Sequence, residues 1–299
     1  MNKRLKLTVA VWLALILAVA GCGGGSTGAG PSVIDADAGG DRIIATTVAL
    51  TEIMDALELD LVGIPSSYKD LPERYVGVQE VGNPMSPDME IILSLKPTEV
   101  LSVTTLQYDL EPLFANRGIQ MTYVNLESIE AMHREILALG ERYDRKAQAE
   151  AIVRRFERKV AEIQEKVKGR EAPTVLILLG VPGSYLVATE NSYIGDLVRL
   201  AGGKNVIVGE EAEYLASNTE YLHQANPDVI LRAAHGMPEE VVKMFDEEFR
   251  TNDVWKHFNA VKNGRVYDLE EELFGTTGNL AAVEALEVLE QYLYPDVQN

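Results

Sequence analysis

Cysteine is nearly missing from this chain: Cys22 is the single one in 299 residues. A disulfide framework within the chain is thereby excluded, as are zinc or iron–sulfur sites built from several thiolates. Histidine is almost as scarce, with His133, His223, His235 and His257, too few for a His-rich metal scavenger. Basic side chains are outnumbered, 27 Lys and Arg against 46 Asp and Glu, for a formal charge of −19. That sign argues against nucleic acid as a partner, because phosphates call for a basic surface. The apolar run Leu7 to Ala20 is shorter than the roughly 20 residues of a membrane-spanning helix. What remains is ordinary for a globular protein. The chain is 46% apolar and 24% charged, and its length suits one large domain or two of common size.

The N-terminus reads as an export signal. Lys3, Arg4 and Lys6 precede the apolar run, which has the length of a secretory h-region. Small residues then lead to the cysteine, Val19-Ala20-Gly21-Cys22. This stretch resembles the bacterial lipoprotein box, in which the cysteine is lipidated and becomes the first mature residue. Residues 1–21 are therefore expected to be removed, taking three positive charges and Trp12 with them. Residues 22–40 would follow as lipidated Cys and tether. They are rich in Gly, Ser and Asp, with little to bury, and as a random coil would span on the order of 20–25 Å.

From Asp41 the pattern alternates. RIIAT (42–46), DLVGI (60–64), EVLSV (99–103) and residues 119–124 read as strands, with helical spacing over 47–57 and 86–95. Such alternation predicts a parallel sheet covered by helices. Residues 141–168 are rich in Ala, Glu, Lys and Arg, with Ala151, Ile152, Phe156, Val160 and Ile163 on one stripe. This predicts one long helix. After Pro173 the alternation resumes, with strands at 174–179, 185–188, 228–231 and 265–269. The expected plan is α/β: an N-terminal lobe over 41–140, a connecting helix over 141–170 and a C-terminal lobe over 171–299.

Several segments carry a family likeness. RIIATTVALTEIMDALELDLVGIP (42–65), DMEIILSLKPTEVLSV (88–103), TEYLHQANPDVIL (219–231) and WKHFNAVKNGRVYDL (255–269) resemble units of the substrate-binding proteins of ABC importers. The likeness is to the cluster with a rigid helical backbone, which serves ferric siderophores, cobalamin and haem. It implies two Rossmann-like lobes joined by one long rigid helix. VGNPMSPDMEI (81–91) and ILRAAHGMPEE (230–240) resemble the haem-binding lipoproteins of the iron-regulated surface-determinant type within that cluster. There a methionine of the first lobe and a histidine of the second ligate haem iron, which assigns Met85 and His235 as axial ligands of haem b, iron protoporphyrin IX, the transported ligand.

The residues themselves agree with that chemistry. Met85 lies between Pro84 and Pro87, in a segment too stiff for a helix and with no core stripe to fill. His235 follows a predicted strand, where open α/β sheets place ligands. A thioether and an imidazole give a six-coordinate, relatively high-potential haem suited to carriage. Propionates would be met at Thr47, before a helix N-terminus, with Ser67 and Lys69 assisting. The resemblance adds the Val48 amide. It also implies docking of Glu90 and Glu220, one on each lobe, to arginines of a permease. The implied partners are that ABC permease with its ATPase and an upstream surface haem donor. The membrane would be touched through the lipid anchor alone, on the extracytoplasmic face, by a monomer.

Two other readings stand beside this one. A ferric siderophore or cobalamin could occupy the same fold, with Tyr68, Tyr185, Tyr193 and Tyr214 lining the pocket; Trp255 would report binding as the mature chain's single indole. A chelatase-like enzyme could use His235, Glu239 and Glu240, although no P-loop or H-E-x-x-H motif occurs. If the glutamates dock as the resemblance implies, Glu90→Ala and Glu220→Ala will each slow uptake by cells while ligand binding to the purified protein is unchanged, since such charges set encounter rate and orientation.

Overall fold

The first strand of the N-terminal half is short and apolar, and burial explains its composition. Ile43, Ile44 and Ala45 are all buried, as expected of a parallel strand covered on both faces. A computed structural model describes residues 40–115, 117–217, 222 and 226–297. The signal, Cys22, the tether to residue 39 and Glu220 lie outside the described residues.

In chain order this half holds β1 (Ile43–Ala45), α1 (Val48–Ala56), β2 (Gly63–Ile64), β3 (Gln79–Glu80), β4 (Gly82–Asn83), β5 (Ser86–Pro87), α2 (Met89–Ser94), β6 (Glu99–Val103), α3 (Gln107–Phe114) and β7 (Gln120–Val124). Five strands form a sheet of order β3-β2-β1-β6-β7, with every pairing parallel. The β4–β5 hairpin stands apart. Helical spacing over 86–95 predicts a helix from Ser86. Instead Ser86-Pro87 completes the hairpin and the helix starts at Met89, because Asp88 caps it by accepting the Glu90 and Ile91 N–H groups.

The second half holds α4 (Ile129–Arg142), α5 (Lys146–Lys166), β8 (Thr174–Val181), β9 (Ser184–Ala188), α6 (Tyr193–Leu200), β10 (Lys204–Asn205), β11 (Tyr214–Ala216), β12 (Val229–Ala234), α7 (Pro238–Thr251), α8 (Asn259–Lys262), β13 (Val266–Leu269) and α9 (Ala282–Leu293). Its sheet runs β11-β9-β8-β12-β13, with β10 on the start of β8. The pairs β8–β12 and β12–β13 are parallel, whereas β9 is antiparallel to both neighbours. Among the described residues no helix is long and apolar enough to cross a membrane.

The long connecting helix differs from the sequence expectation at its start. Residues 141–168 do not form one helix: α4 ends at Arg142 and α5 begins at Lys146. Asp144 adopts a left-handed conformation, φ 56°, and the Arg145 N–H donates to Gly140 O at 2.6 Å. The chain can turn there because Gly140 has no Cβ, which would overlap the Ala149 side chain. α5 still spans 21 residues.

One buried apolar cluster passes through both halves. It joins Ile43, Leu101 and Val124 of the first sheet to Ile136, Phe156 and Ile163 of α4 and α5. From there it continues through Leu197, Leu286 and Leu289 to Ile177 and Leu231 of the second sheet. Hydrogen bonds add to it: the Ile129 N–H donates to Asp196 Oδ2 at 3.2 Å, and the Gly278 N–H to Leu126 O at 2.6 Å. On the outer side Lys159 pairs with Glu287 at 2.6 Å and Lys166 with Glu290 at 2.8 Å. Exposed pairs of this kind contribute at most about 1 kcal/mol each. The apolar core therefore dominates, and it holds the two sheets as one rigid frame.

His133 packs edge-on to Phe156 with ring centroids 4.8 Å apart. Burial lowers its pKa from 6.5, against smaller opposing effects of Glu157 and Asp196. The unfolded chain thus takes up the proton first, so His133 withdraws stability as pH falls through its ordinary pKa. Thermal unfolding should shift to lower temperature between about pH 7 and pH 5, and His133→Gln should flatten that slope. Phe156→Ala should cost about 3–5 kcal/mol at any pH in a denaturant titration.

Candidate functional site

Strands that end together place the site. β1 runs into Thr46, whose buried hydroxyl donates to Leu101 O at 3.0 Å and so holds the strand end. Thr47 then caps α1, its Oγ1 accepting the Leu50 N–H at 3.3 Å. Val48 and Ala49 are the first residues of that helix, and N–H groups at such positions have no helical acceptor and favour an anion. Thr47 and Val48 thus stand where a carboxylate could be met.

The next loop follows β2. The Ser66 N–H donates to Gly82 O at 2.9 Å and its hydroxyl to Glu80 Oε2 at 2.7 Å. These bonds tie the loop to the β4–β5 hairpin and to the end of β3. Ser67 is exposed, and its Oγ accepts the Lys69 N–H at 2.9 Å. At the hairpin tip the Met85 N–H donates to Asn83 Oδ1 at 2.9 Å. The Met85 side chain is 66% exposed. A large apolar group so displayed contributes nothing to the core and is free to meet a ligand. Met89, the neighbouring thioether, instead packs against the small cluster of Ile44, Ile92 and Val100. Glu90 is exposed in the first turn of α2.

In the second half, all six residues of β12 are buried, and the strand delivers His235 to the surface. The His235 N–H donates to Gly180 O at 2.9 Å, and Gly236 turns the chain with φ 72°. His235 is exposed. Beside it lies a pocket of about 480 Å³ between β12, β13 and α7, lined by Ala234, Val241, Phe245 and Leu269 among others. Arg232 at its wall is 8% exposed. Its guanidinium pairs with Asp268 at 2.6 Å and Asp246 at 3.0 Å and lies over the Phe245 and Phe249 rings. Neutralised twice, it is not a free cation for a ligand.

Glu271, just beyond β13, joins the two halves of the site. Its Oε1 accepts the Tyr68 hydroxyl at 2.7 Å and the Gly236 N–H at 3.1 Å. Lys69 Nζ donates to the Glu271 carbonyl at 3.4 Å. Loss of solvation, then the bond to Glu271 and its charge, push the Tyr68 pKa up to about 12. Lys69 also lies near Glu52 of α1. Burial raises the Glu52 pKa and the Lys69 charge lowers it in part.

Through Glu271 the structure brings Tyr68 and Lys69 to the His235–Gly236 turn, with the Met85 hairpin bonded through Ser66 to the loop that also carries Ser67. Sequence reasoning missed Glu271, one of 46 acidic residues with no spacing that links it to Tyr68. It missed Arg232 as well. The tyrosines of the siderophore reading do not converge: Tyr193 is fully buried and Tyr185 donates to Glu248, near Trp255.

Residues 43–273 match the family model described as periplasmic binding protein. Over 256 residues the chain is 50% identical to the high-affinity heme uptake system protein IsdE of Staphylococcus aureus, an alignment spanning 85% of this chain and 88% of that protein. An ABC transporter substrate-binding protein from Listeria monocytogenes superposes with a TM-score of 0.81 at 58% identity, covering 86% of this chain and 99% of the other. The crystal structure of S. aureus IsdE complexed with heme also gives 0.81, at 49% identity, covering 86% of this chain and 100% of that one. A family match over most of the residues and relatives at 49–58% identity lead to one conclusion: this chain belongs to the periplasmic binding protein family.

Proposed function

We propose that this protein captures haem in the cleft between its lobes and delivers it to an ABC importer for iron acquisition. One observation carries the reading. A displayed thioether on the N-terminal lobe, Met85, and a displayed imidazole on the C-terminal lobe, His235, stand on loops that hydrogen bonds join into one site. This arrangement occurs in a chain half-identical to a protein named for heme uptake.

In this reading the two side chains fill both axial positions of the iron. No coordination position stays open for oxygen chemistry, and the protein carries its ligand without catalysing a reaction. The propionates take the N–H groups at Thr47 and Val48, with Ser67 and Lys69 beside them. Arg232, held by two aspartates, takes no part in anion binding. The apolar pocket beside His235 offers cover for the porphyrin's hydrophobic edge.

The remaining assignments belong to the same proposal. Residues 1–21 are a signal, Cys22 is lipidated, and residues to 40 tether the body outside the cytoplasmic membrane. The body acts as a monomer of two lobes, 41–140 and 171–299, about the connecting segment 141–170. It receives haem from a surface donor and meets the permease, and through it the ATPase, by way of Glu90 and Glu220.

Haemin added to the purified protein should give a sharp Soret band at one equivalent. His235→Ala and Met85→Ala should each weaken binding by at least the 10–100-fold typical of a lost outer partner in a metal site, and should change the band. An unchanged band in His235→Ala overturns the ligation; a siderophore or cobalamin that binds while haemin does not overturns the ligand. Cys22→Ser should move the protein from the membrane fraction to the soluble fraction, read by fractionation and by loss of the lipid mass.

A further inference from the structure

Between the lobes, one carboxylate oxygen joins two of the loops that carry candidate ligand contacts. Glu271 Oε1 accepts from Tyr68 of the N-terminal lobe and from the Gly236 N–H of the C-terminal lobe. The two donors are 203 and 35 residues away in sequence. Lys69 adds a second strand of the same link through the Glu271 carbonyl. On the N-terminal side the path continues from the Tyr68 loop through Ser66 N–H to Gly82 O, at the base of the hairpin whose tip is Met85. On the other side, Gly236 is the immediate neighbour of His235.

The Tyr68 side chain contributes little to the core, since the residue is 75% exposed, yet its hydroxyl reaches across the cleft. Gly236 has the left-handed conformation of a turn, and the bond from its N–H to Glu271 restrains that turn. A flexible turn beside His235 would let the imidazole wander. A carboxylate that fixes it, and is itself fixed by the opposite lobe, makes the imidazole's position depend on the register of the two lobes.

We propose that Glu271 is a positioning residue that couples the lobes at the ligand cleft, through Tyr68 on one side and the His235–Gly236 turn on the other. It holds both candidate axial ligands in one register and slows ligand escape. The inference rests on the haem reading for its ligand. The clasp itself is defined by the protein's own contacts.

The test is a double-mutant cycle on the full mature chain with Tyr68→Phe, Glu271→Ala and the pair. Two quantities are read: the rate of haemin loss to an excess scavenger, and the midpoint of thermal unfolding without haemin. Each single substitution should speed haemin loss about fivefold, within the range of coupled neighbours. The double variant should be no faster than the faster single. Glu271→Gln, whose amide carbonyl still accepts both donors, should stay within about twofold of the starting protein. Glu271→Ala should also broaden the Soret band, a signature that mere loss of stability would not give. Multiplicative rates in the double variant, or singles without effect, overturn the proposal. If the unsubstituted protein takes up no haemin, the haem reading falls. The clasp is then judged by the unfolding midpoints, where additivity overturns it and non-additivity sustains it.

Discussion

The continuous apolar core is the constraint from which the other features follow. Helices α4, α5, α6 and α9 are packed between the two sheets so that a single buried cluster includes residues from both. Close packing resists small displacements, because a gap of even a fraction of an ångström forfeits contact energy. The ends of β1, β2, β12 and β13 are therefore held at a nearly constant separation, and so are the loops that follow them. A cleft fixed in this way binds with little ordering cost, which favours affinity through preorganisation more than through lobe closure.

Within that frame the two sides of the cleft are built differently. The Met85 side is stiffened by Pro84 and Pro87 and by the tie from Ser66 to the hairpin. The His235 side turns on Gly236, which costs little at positive φ but restrains little by itself. Glu271 supplies that restraint from a neighbouring strand end. The charges are partitioned in the same spirit. Arg232 is consumed by aspartates in the wall, whereas Lys69 and the start of α1 remain in reach of an anionic ligand. In a chain with 46 acidic residues, local positive potential at the cleft depends on these few groups and on backbone N–H dipoles.

Much of the fold was legible because strands buried on both faces announce themselves by composition. EVLSV was read at 99–103, where the fully buried β6 lies; the predicted 119–124 lies over β7 at Gln120–Val124, an edge strand that is only partly buried. Capping decided what periodicity could not. Asp88 moved the start of α2 past Ser86-Pro87, and the turn at Asp144 divided a run whose apolar stripe reads as continuous. In both cases a hydrophobic stripe persists across a break in the backbone, so its period cannot reveal the break. The antiparallel pairing of β9 was likewise invisible, since a strand's direction leaves no mark on its composition.

The sequence by itself determined the class of fold, the strand-end positions of His235 and the Thr47 cap, and the display of Met85 between prolines. These are local properties, set by propensity, capping and short-range sterics. Tertiary structure decided which loops share a cleft and which charges are free. It placed Glu271 between Tyr68 and Gly236, withdrew Arg232 into ion pairs and scattered Tyr185 and Tyr193 away from any common surface. Such pairings join residues dozens to hundreds of positions apart. They arise from the packing of whole sheets through a shared core, and no local pattern in a chain encodes that distance.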